Sequence, residues 1–178
     1  MATENPFRIR LAEARDADAM PSLENSAGTL FREIPALAWL ADGADLPAER
    51  YRDLIAGGTS WVIADADDRP VAFLSASREA DALHIWEIGV RRDLQRRGLG
   101  RRLCVHAIET ARRWGFAAIT LTTFRDVPWN APFYARLGFK TLEGSAMDAR
   151  LAALLETEAE RGLPTHLRCA MRLGLGPH

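Results

Sequence analysis

A chain of 178 residues fits one ordinary globular domain and leaves no room for two full-sized ones. Hydrophobic residues make up 48% and charged residues 26% of it, a balance that excludes wholesale disorder and a fibrous repeat. With 23 Lys plus Arg against 24 Asp plus Glu the formal net charge is -1, so no global basic field recruits nucleic acid.

The first twenty residues carry charges throughout and hold no apolar run long enough for a signal peptide or a membrane span, which predicts a cytoplasmic protein with no membrane partner. Phe7 to Leu11 alternates apolar and polar residues and predicts a first strand. From Asp16 the period becomes helical, with Ala19, Leu23 and Ala27 on one face and Pro21 where a first turn tolerates it. A loop with Trp39 and Asp42-Gly43 leads to a second helix between Pro47 and Ile55, closed by Gly57-Gly58. Strands two and three are expected at 60–64 and 70–76, joined by a hairpin over 65–69. Residues 83–90 form a fourth strand. Leu99, Leu103, Ala107, Ile108, Ala111 and Trp114 mark the buried face of a helix ended by Gly115.

A fifth strand is expected at 117–123, then a short helix at 128–137 that Trp129 or Asn130 begins and Gly138 ends. Residues 139–142 read as a sixth strand. Leu151, Leu154, Leu155 and Ala159 give 146–161 helical spacing up to Gly162, before a final strand at 167–173. The order βααβββαβαβαβ predicts an α/β protein, a mixed sheet with helices on its faces. The two cysteines, Cys104 and Cys169, are too few for a disulfide framework and lack zinc-ligand spacing, so both read as buried small hydrophobes, with one bridge between them left open and no metal expected.

The most informative stretch runs from Trp86 to Leu103, a strand, a polar turn and a helix start. Gly98 and Gly100 remove side chains where the helix begins, so backbone amides there can approach an anion that also feels the positive end of the helix dipole. Arg91, Arg92, Arg96, Arg97, Arg101 and Arg102 crowd the same turn and add local positive charge. Neither a Walker loop nor a dinucleotide fingerprint is complete. Taken alone, the glycine pair reads equally well as a tight turn, and the arginines as a solvated face; no interleaved aromatics support RNA binding.

Gln95-Arg96-Arg97-Gly98-Leu99-Gly100, in Gln/Arg-x-x-Gly-x-Gly/Ala form, followed by a helix, a strand and Pro132-Phe133-Tyr134-Ala135-Arg136-Leu137-Gly138-Phe139, resembles the Gcn5-related N-acetyltransferases (GNAT family) over roughly residues 71–142. The resemblance implies a mostly antiparallel sheet of about seven strands, splayed between strands four and five where acetyl-CoA lies. Pantetheine would pair with the backbone of Ile88, Gly89 and Val90, as an added strand does, and the pyrophosphate would meet Gln95, Arg96, Arg97, Gly98, Leu99, Gly100 and Arg101. Gly89 fits the bulge that family members carry there. Asn130 stands four residues before the tyrosine, where the family often has asparagine seven before it; that position is Val127. Asn130 is therefore read either as a cofactor contact or as a helix cap.

Acetyl transfer needs a neutral amine, a donor for the developing oxyanion and a proton for the departing thiolate. Tyr134 sits in the family's Tyr-x-x-x-Gly-Phe pattern, and the resemblance implies that it is the general acid, since a phenol with pKa near 10 stays protonated; the other reading of it is a core aromatic beside Phe133. The Val90 amide is the implied oxyanion donor. His84 and Glu87 on the fourth strand stand as base candidates, each equally readable as a structural residue.

The first two helices and the loop before the last strand usually border the acceptor in the family. Trp39, Trp86 and Trp129, with Phe31 and Trp61, are aromatic candidates for that wall, and Glu24, Glu33, Asp42 or Asp45 for holding a cationic amine; residue by residue, each also reads as a core aromatic or a solvated acid. The 146–161 helix covers the site, forms a homodimer contact or packs on its own core. The expected activity is acetyl-CoA-dependent N-acetyl transfer to a small-molecule or peptide amine in a ternary complex. The alternative is a non-catalytic acyl-CoA-binding or regulatory domain.

Overall fold

The computed structural model describes residues 6–43 and 46–176; the first residues of the chain and Asp45 lie outside them. The chain runs through β1 (Arg8–Leu11), α1 (Met20–Gly28), α2 (Ala48–Ala56), β2 (Ser60–Ala64), β3 (Pro70–Glu79), β4 (Ala82–Val90), α3 (Leu99–Arg113), β5 (Ala118–Phe124), α4 (Ala131–Ala135), β6 (Lys140–Thr141), α5 (Ala149–Glu160) and β7 (Arg168–Gly174). The strand order is β1-β2-β3-β4-β5-β7-β6. β4 and β5 are parallel, from Ala82↔Ala118 to Ile85↔Leu121, while the pairs β1/β2, β2/β3, β5/β7 and β6/β7 are antiparallel. The expected mixed, mostly antiparallel sheet is therefore present.

Several features depart from expectation: the helix read from Asp16 begins only at Met20, after a 3-10 turn over Ala14–Ala19, and the sixth strand shrinks to Lys140–Thr141. The segment containing Trp39 is not a loop: it winds as tight 3-10 turns over Thr29–Glu33 and Pro35–Asp42. The helix expected over 128–137 is helical only at Ala131–Ala135, because Pro128 and Pro132 lack donors and Gly138 leaves the helix at φ 95°. Trp114, placed on the buried face of α3, is 40% exposed.

The residues form two compact units, one of residues to Arg78 with Trp86–Ala107, the other of Glu79–Ile85 with Ile108 onward. In the first unit, alternation along the strands sends Val62 and Phe73 to one face, where they pack with Ala17, Met20, Leu23, Tyr51 and Ile55 from the α1 and α2 side. Tyr51 meets the Phe73 ring edge-on at 5.4 Å. Each such large side chain contributes about 1.5–3 kcal/mol by burial. Trp61 points the other way and meets His106 of α3 at 5.7 Å, so this unit has helices on both faces of its strands. At the β1 edge, Arg10 bonds Asp16 at 2.6 Å and Asp68 at 2.9 Å. Burial alone would raise the Asp16 pKa, but the Arg10 hydrogen bond and the Glu13 amide hold it below its ordinary value.

In the second unit β5 and β7 pair over seven positions, from Ala118↔Gly174 to Phe124↔Arg168. α5 opens at Asp148, whose side chain accepts from the Leu151 amide at 2.8 Å, and it buries Leu151. The rest of its seat is polar. Thr122 donates to Glu158 at 2.5 Å, Arg168 Nε donates to the same carboxylate at 3.0 Å, and Arg150 donates to Thr120 at 3.1 Å. Both cysteines are free and buried. Burial pushes the Cys104 thiol up to about 12 and raises Cys169 as well. No helix among the described residues is long and apolar enough to cross a membrane.

Candidate active site

β4 ends at Val90, and the chain then makes a short 3-10 turn over Arg92–Leu94, with Leu94 buried beneath it. The turn is pinned at several points. Arg91 N–H donates to Val71 O at 3.0 Å, Arg92 N–H to Ser26 Oγ at 3.0 Å, and the Gln95 side chain to Val90 O at 3.1 Å. Gln95 is thus a brace for the loop. Beyond it Arg96 and Gly98 adopt left-handed φ values of 61° and 77°, and α3 begins.

Its hydrogen-bond ladder opens with Arg102 N–H to Gly98 O at 3.0 Å. The amides of Leu99, Gly100 and Arg101 precede that bond, so they have no carbonyl within the helix to bond. Around them the six arginines divide into two groups. Arg91 pairs with Asp93, Arg92 with Glu33, and Arg102 donates to Phe7 O. Arg96, Arg97 and Arg101 are exposed, and no hydrogen bond or ion pair engages them among the described residues. A Cβ added at Gly100 would meet nothing nearer than Val90 Cγ2 at 3.7 Å. Free amides, the positive end of a 15-residue helix and three free guanidinium groups over an open glycine suit an oxygen-rich anion such as pyrophosphate.

β4 carries an irregularity just before this turn. The Trp86 indole donates to Ser77 Oγ at 2.7 Å and lies under Arg50 of α2. A Cβ at Gly89 would also point to this side, into Phe73 Cε1 at 2.6 Å. Residues three apart on one face break the strand's period of two, and Ile88 and Val90 both face Gly100, so the extra residue falls at Glu87–Ile88 as in a one-residue bulge. Glycine is required at 89 by the Phe73 ring.

In the second unit Tyr134 is 5% exposed and edge-packed between Phe133 at 5.1 Å and Phe139 at 5.7 Å. Asn130 precedes α4, but its side chain makes no capping bond, so the cap reading is corrected. Its Oδ1 is buried without a hydrogen-bond partner. His84 is 1% exposed, with Nδ1 2.9 Å from Thr120 Oγ1. Burial first and then the Arg150 charge push its pKa down to about 3.

A family model described as "Acetyltransferase (GNAT) family" matches residues 28–139, more than half of the chain. This chain belongs to the GNAT family. The fold is shared with solved structures of low sequence identity. A ribosomal-protein-S18-alanine N-acetyltransferase from Escherichia coli is 18% identical at a TM-score of 0.68, covering 97% of this chain and 96% of its own. The PaiA N-acetyltransferase of Thermoplasma acidophilum, in complex with coenzyme A, is 13% identical at 0.67, covering 94% of this chain and 98% of its own. An N-acetylglutamate synthase from Neisseria gonorrhoeae, complexed with coenzyme A and N-acetyl-glutamate, is 18% identical at 0.70; 99% of this chain is covered, but only 37% of that one.

Among the acceptor-side candidates of this GNAT chain, Trp61 belongs to the core at 2% exposure and drops out of the proposed aromatic wall. Trp39 is 48% exposed on its 3-10 turn; Trp86 and Trp129 are half-buried. The candidate acids are engaged already: Glu24 accepts from Tyr51 Oη at 2.7 Å and from Leu46 N, Glu33 pairs with Arg92, and Asp42 with Arg32. Arg50 went unnoticed in the sequence, because an isolated cation on an amphipathic helix carries no local signal; only the fold brings it to Trp86.

Proposed function

We propose that this protein is an acetyl-CoA-dependent N-acetyltransferase that moves an acetyl group to a primary amine by direct attack in a ternary complex. The observation that carries this reading is the start of α3, where free amides, an open Gly100 and unpaired Arg96, Arg97 and Arg101 offer a cradle for a pyrophosphate. Relatives crystallised with coenzyme A are consistent with it.

Within the proposal, the backbone of Ile88, Gly89 and Val90 at the β4 bulge pairs with pantetheine. The Val90 amide holds the acyl oxygen as it gains charge. When bound, acetyl-CoA supplies an acyl carbon already activated as a thioester. The amine nitrogen bonds that carbon and the carbon–sulfur bond breaks. Tyr134 gives its phenolic proton to the leaving sulfur, and Glu87, half-buried at the bulge, takes the proton lost by the nitrogen. An amine with pKa near 10.4 is neutral in only about one molecule in a few thousand at pH 7, so that acceptance matters. A histidine whose pKa is about 3 is a poor base for it, and His84 is assigned to holding Thr120. Asn130, with its buried free carbonyl oxygen, is proposed as a cofactor contact.

Thermal unfolding with saturating acetyl-CoA tests the reading. At about 100 times the dissociation constant the ligand stabilises by ~2.7 kcal/mol, a rise of roughly 5–10 °C for a domain of this size. Tyr134→Phe should keep that rise while CoA release on an amine panel drops by on the order of 10²-fold or more. A rise with no CoA release from any amine would favour the binding-module reading instead.

A further inference from the structure

We propose that Arg50, laid against Trp86, selects the acceptor, and that the amine this protein acetylates also carries a carboxylate. The inference rests on the acetyltransferase reading above and adds the substrate class. The Arg50 guanidinium carbon lies 5.3 Å from the centroid of the Trp86 ring. That ring is fixed from behind by its own N–H, which donates to Ser77 Oγ on β3 at 2.7 Å. Trp86 stands on β4 two residues before Ile88, about 6–7 Å along the strand from the backbone assigned to pantetheine. An acceptor reaching the acyl carbon from this side passes the Arg50–Trp86 pair.

Arg50 differs from most arginines of its unit in resting on an aromatic ring rather than on a carboxylate, and from the unpaired Arg96, Arg97 and Arg101 in lying away from the turn into α3. Arg10, Arg15, Arg32, Arg52, Arg91 and Arg92 in the same unit each hold an Asp or Glu. Arg50 is exposed and meets no carboxylate among the described residues. It also occupies the first turn of α2, which begins at Ala48, where a cation opposes the positive end of the helix dipole. Helix stability therefore does not account for it. Stacking on an indole leaves the edges of the guanidinium free, and those edges match a carboxylate with two parallel N–H···O bonds. A purely cationic amine would be repelled there, and Glu24, one of the acids considered for holding such an amine, is already used by Tyr51 and the Leu46 amide.

The test measures CoA release for matched acceptors: free amino acids, the same amino acids as amides, and tripeptides with a free N-terminus, with or without an acidic side chain. Wild-type protein should favour the carboxylate member of each pair by on the order of 10–100-fold in kcat/KM, mainly through KM. Arg50→Ala should bring that ratio close to one while the acetyl-CoA thermal shift persists, and Arg50→Lys should recover only part of it. Preference among free amino acids identifies the α-carboxylate as the group recognised; preference confined to acidic tripeptides identifies a side-chain carboxylate. A wild-type ratio near one, a ratio unchanged in Arg50→Ala, or a normal cofactor shift with no carboxylate-bearing amine turned over overturns the assignment alone. Absence of any acetyl-CoA shift removes the transfer reading, and this assignment with it.

Discussion

At Gly89 a methyl group would sit 2.6 Å from Phe73 Cε1, and Phe73 is fully buried among Met20, Tyr51 and Val62. The ring has nowhere to retreat. Gly89→Ala should therefore cost about 1–3 kcal/mol, read as a fall in Tm of ~2–4 °C per kcal/mol. Phe73→Leu in the same chain should return part of that loss, since it removes the obstructing ring edge; no recovery would point to the backbone instead. The bulge at this place was legible from a glycine in an apolar strand within a family pattern. Its cause was not, because residue 73 lies sixteen positions away and only pairing brings it there. His84 shows the same limit. Alternation placed it on a face, but its burial follows from Thr120 on the paired strand and Arg150 on α5, neither of which is near it in sequence.

Among the elements, the turn into α3 was the most legible, since glycines, arginines and a helical period all sit within one continuous stretch. The division of its arginines was not. Arg92 is spent on Glu33 and Arg91 on Asp93, leaving Arg96, Arg97 and Arg101 outside any ion pair among the described residues and open to the proposed anion. Replacing those three with alanine should leave unfolding of the ligand-free protein almost unchanged, because they are exposed and make no ion pair or hydrogen bond among the described residues, Arg97 acting on Asp93 only through its charge. The dissociation constant for CoA should rise by on the order of 10–100-fold, and the wild-type constant should itself weaken with added salt. Isothermal titration of both proteins at two ionic strengths checks this. The segment around Trp39 was misread because 3-10 turns repeat every three residues and leave no 3.6-residue stripe. β6 is only two residues long, too short for alternation to mark its ends.

For the molecule as a whole, two groups tie stability to pH with the same sign. His84 titrates near 3 in the fold, well below the ~6.5 of an unfolded chain. Its contribution is complete above about pH 6.5 and is lost as pH falls toward 3, because the unfolded state takes up a proton that the fold refuses. Asp16, held below its ordinary value by Arg10 against the opposing effect of burial, contributes above the usual carboxylate range and is lost as pH falls below it. Tm should therefore decline steadily from pH 7 to 4. His84→Gln should flatten the upper part of that decline, between about pH 6.5 and 5, and leave the lower part to Asp16 and other carboxylates; an unchanged slope would mean that His84 does not titrate as its burial requires.

The cysteines bear on how the proposed release of CoA can be watched. Cys104 and Cys169 are the only two in the chain, both are buried outside any disulfide, and burial holds the Cys104 thiol near 12 and raises Cys169. Thiolate, not thiol, attacks a chromogenic disulfide. The folded protein is thus silent to such a reagent, and colour in the assay counts liberated CoA molecule by molecule, while a slow extra signal of two equivalents per chain would announce that the protein itself has opened.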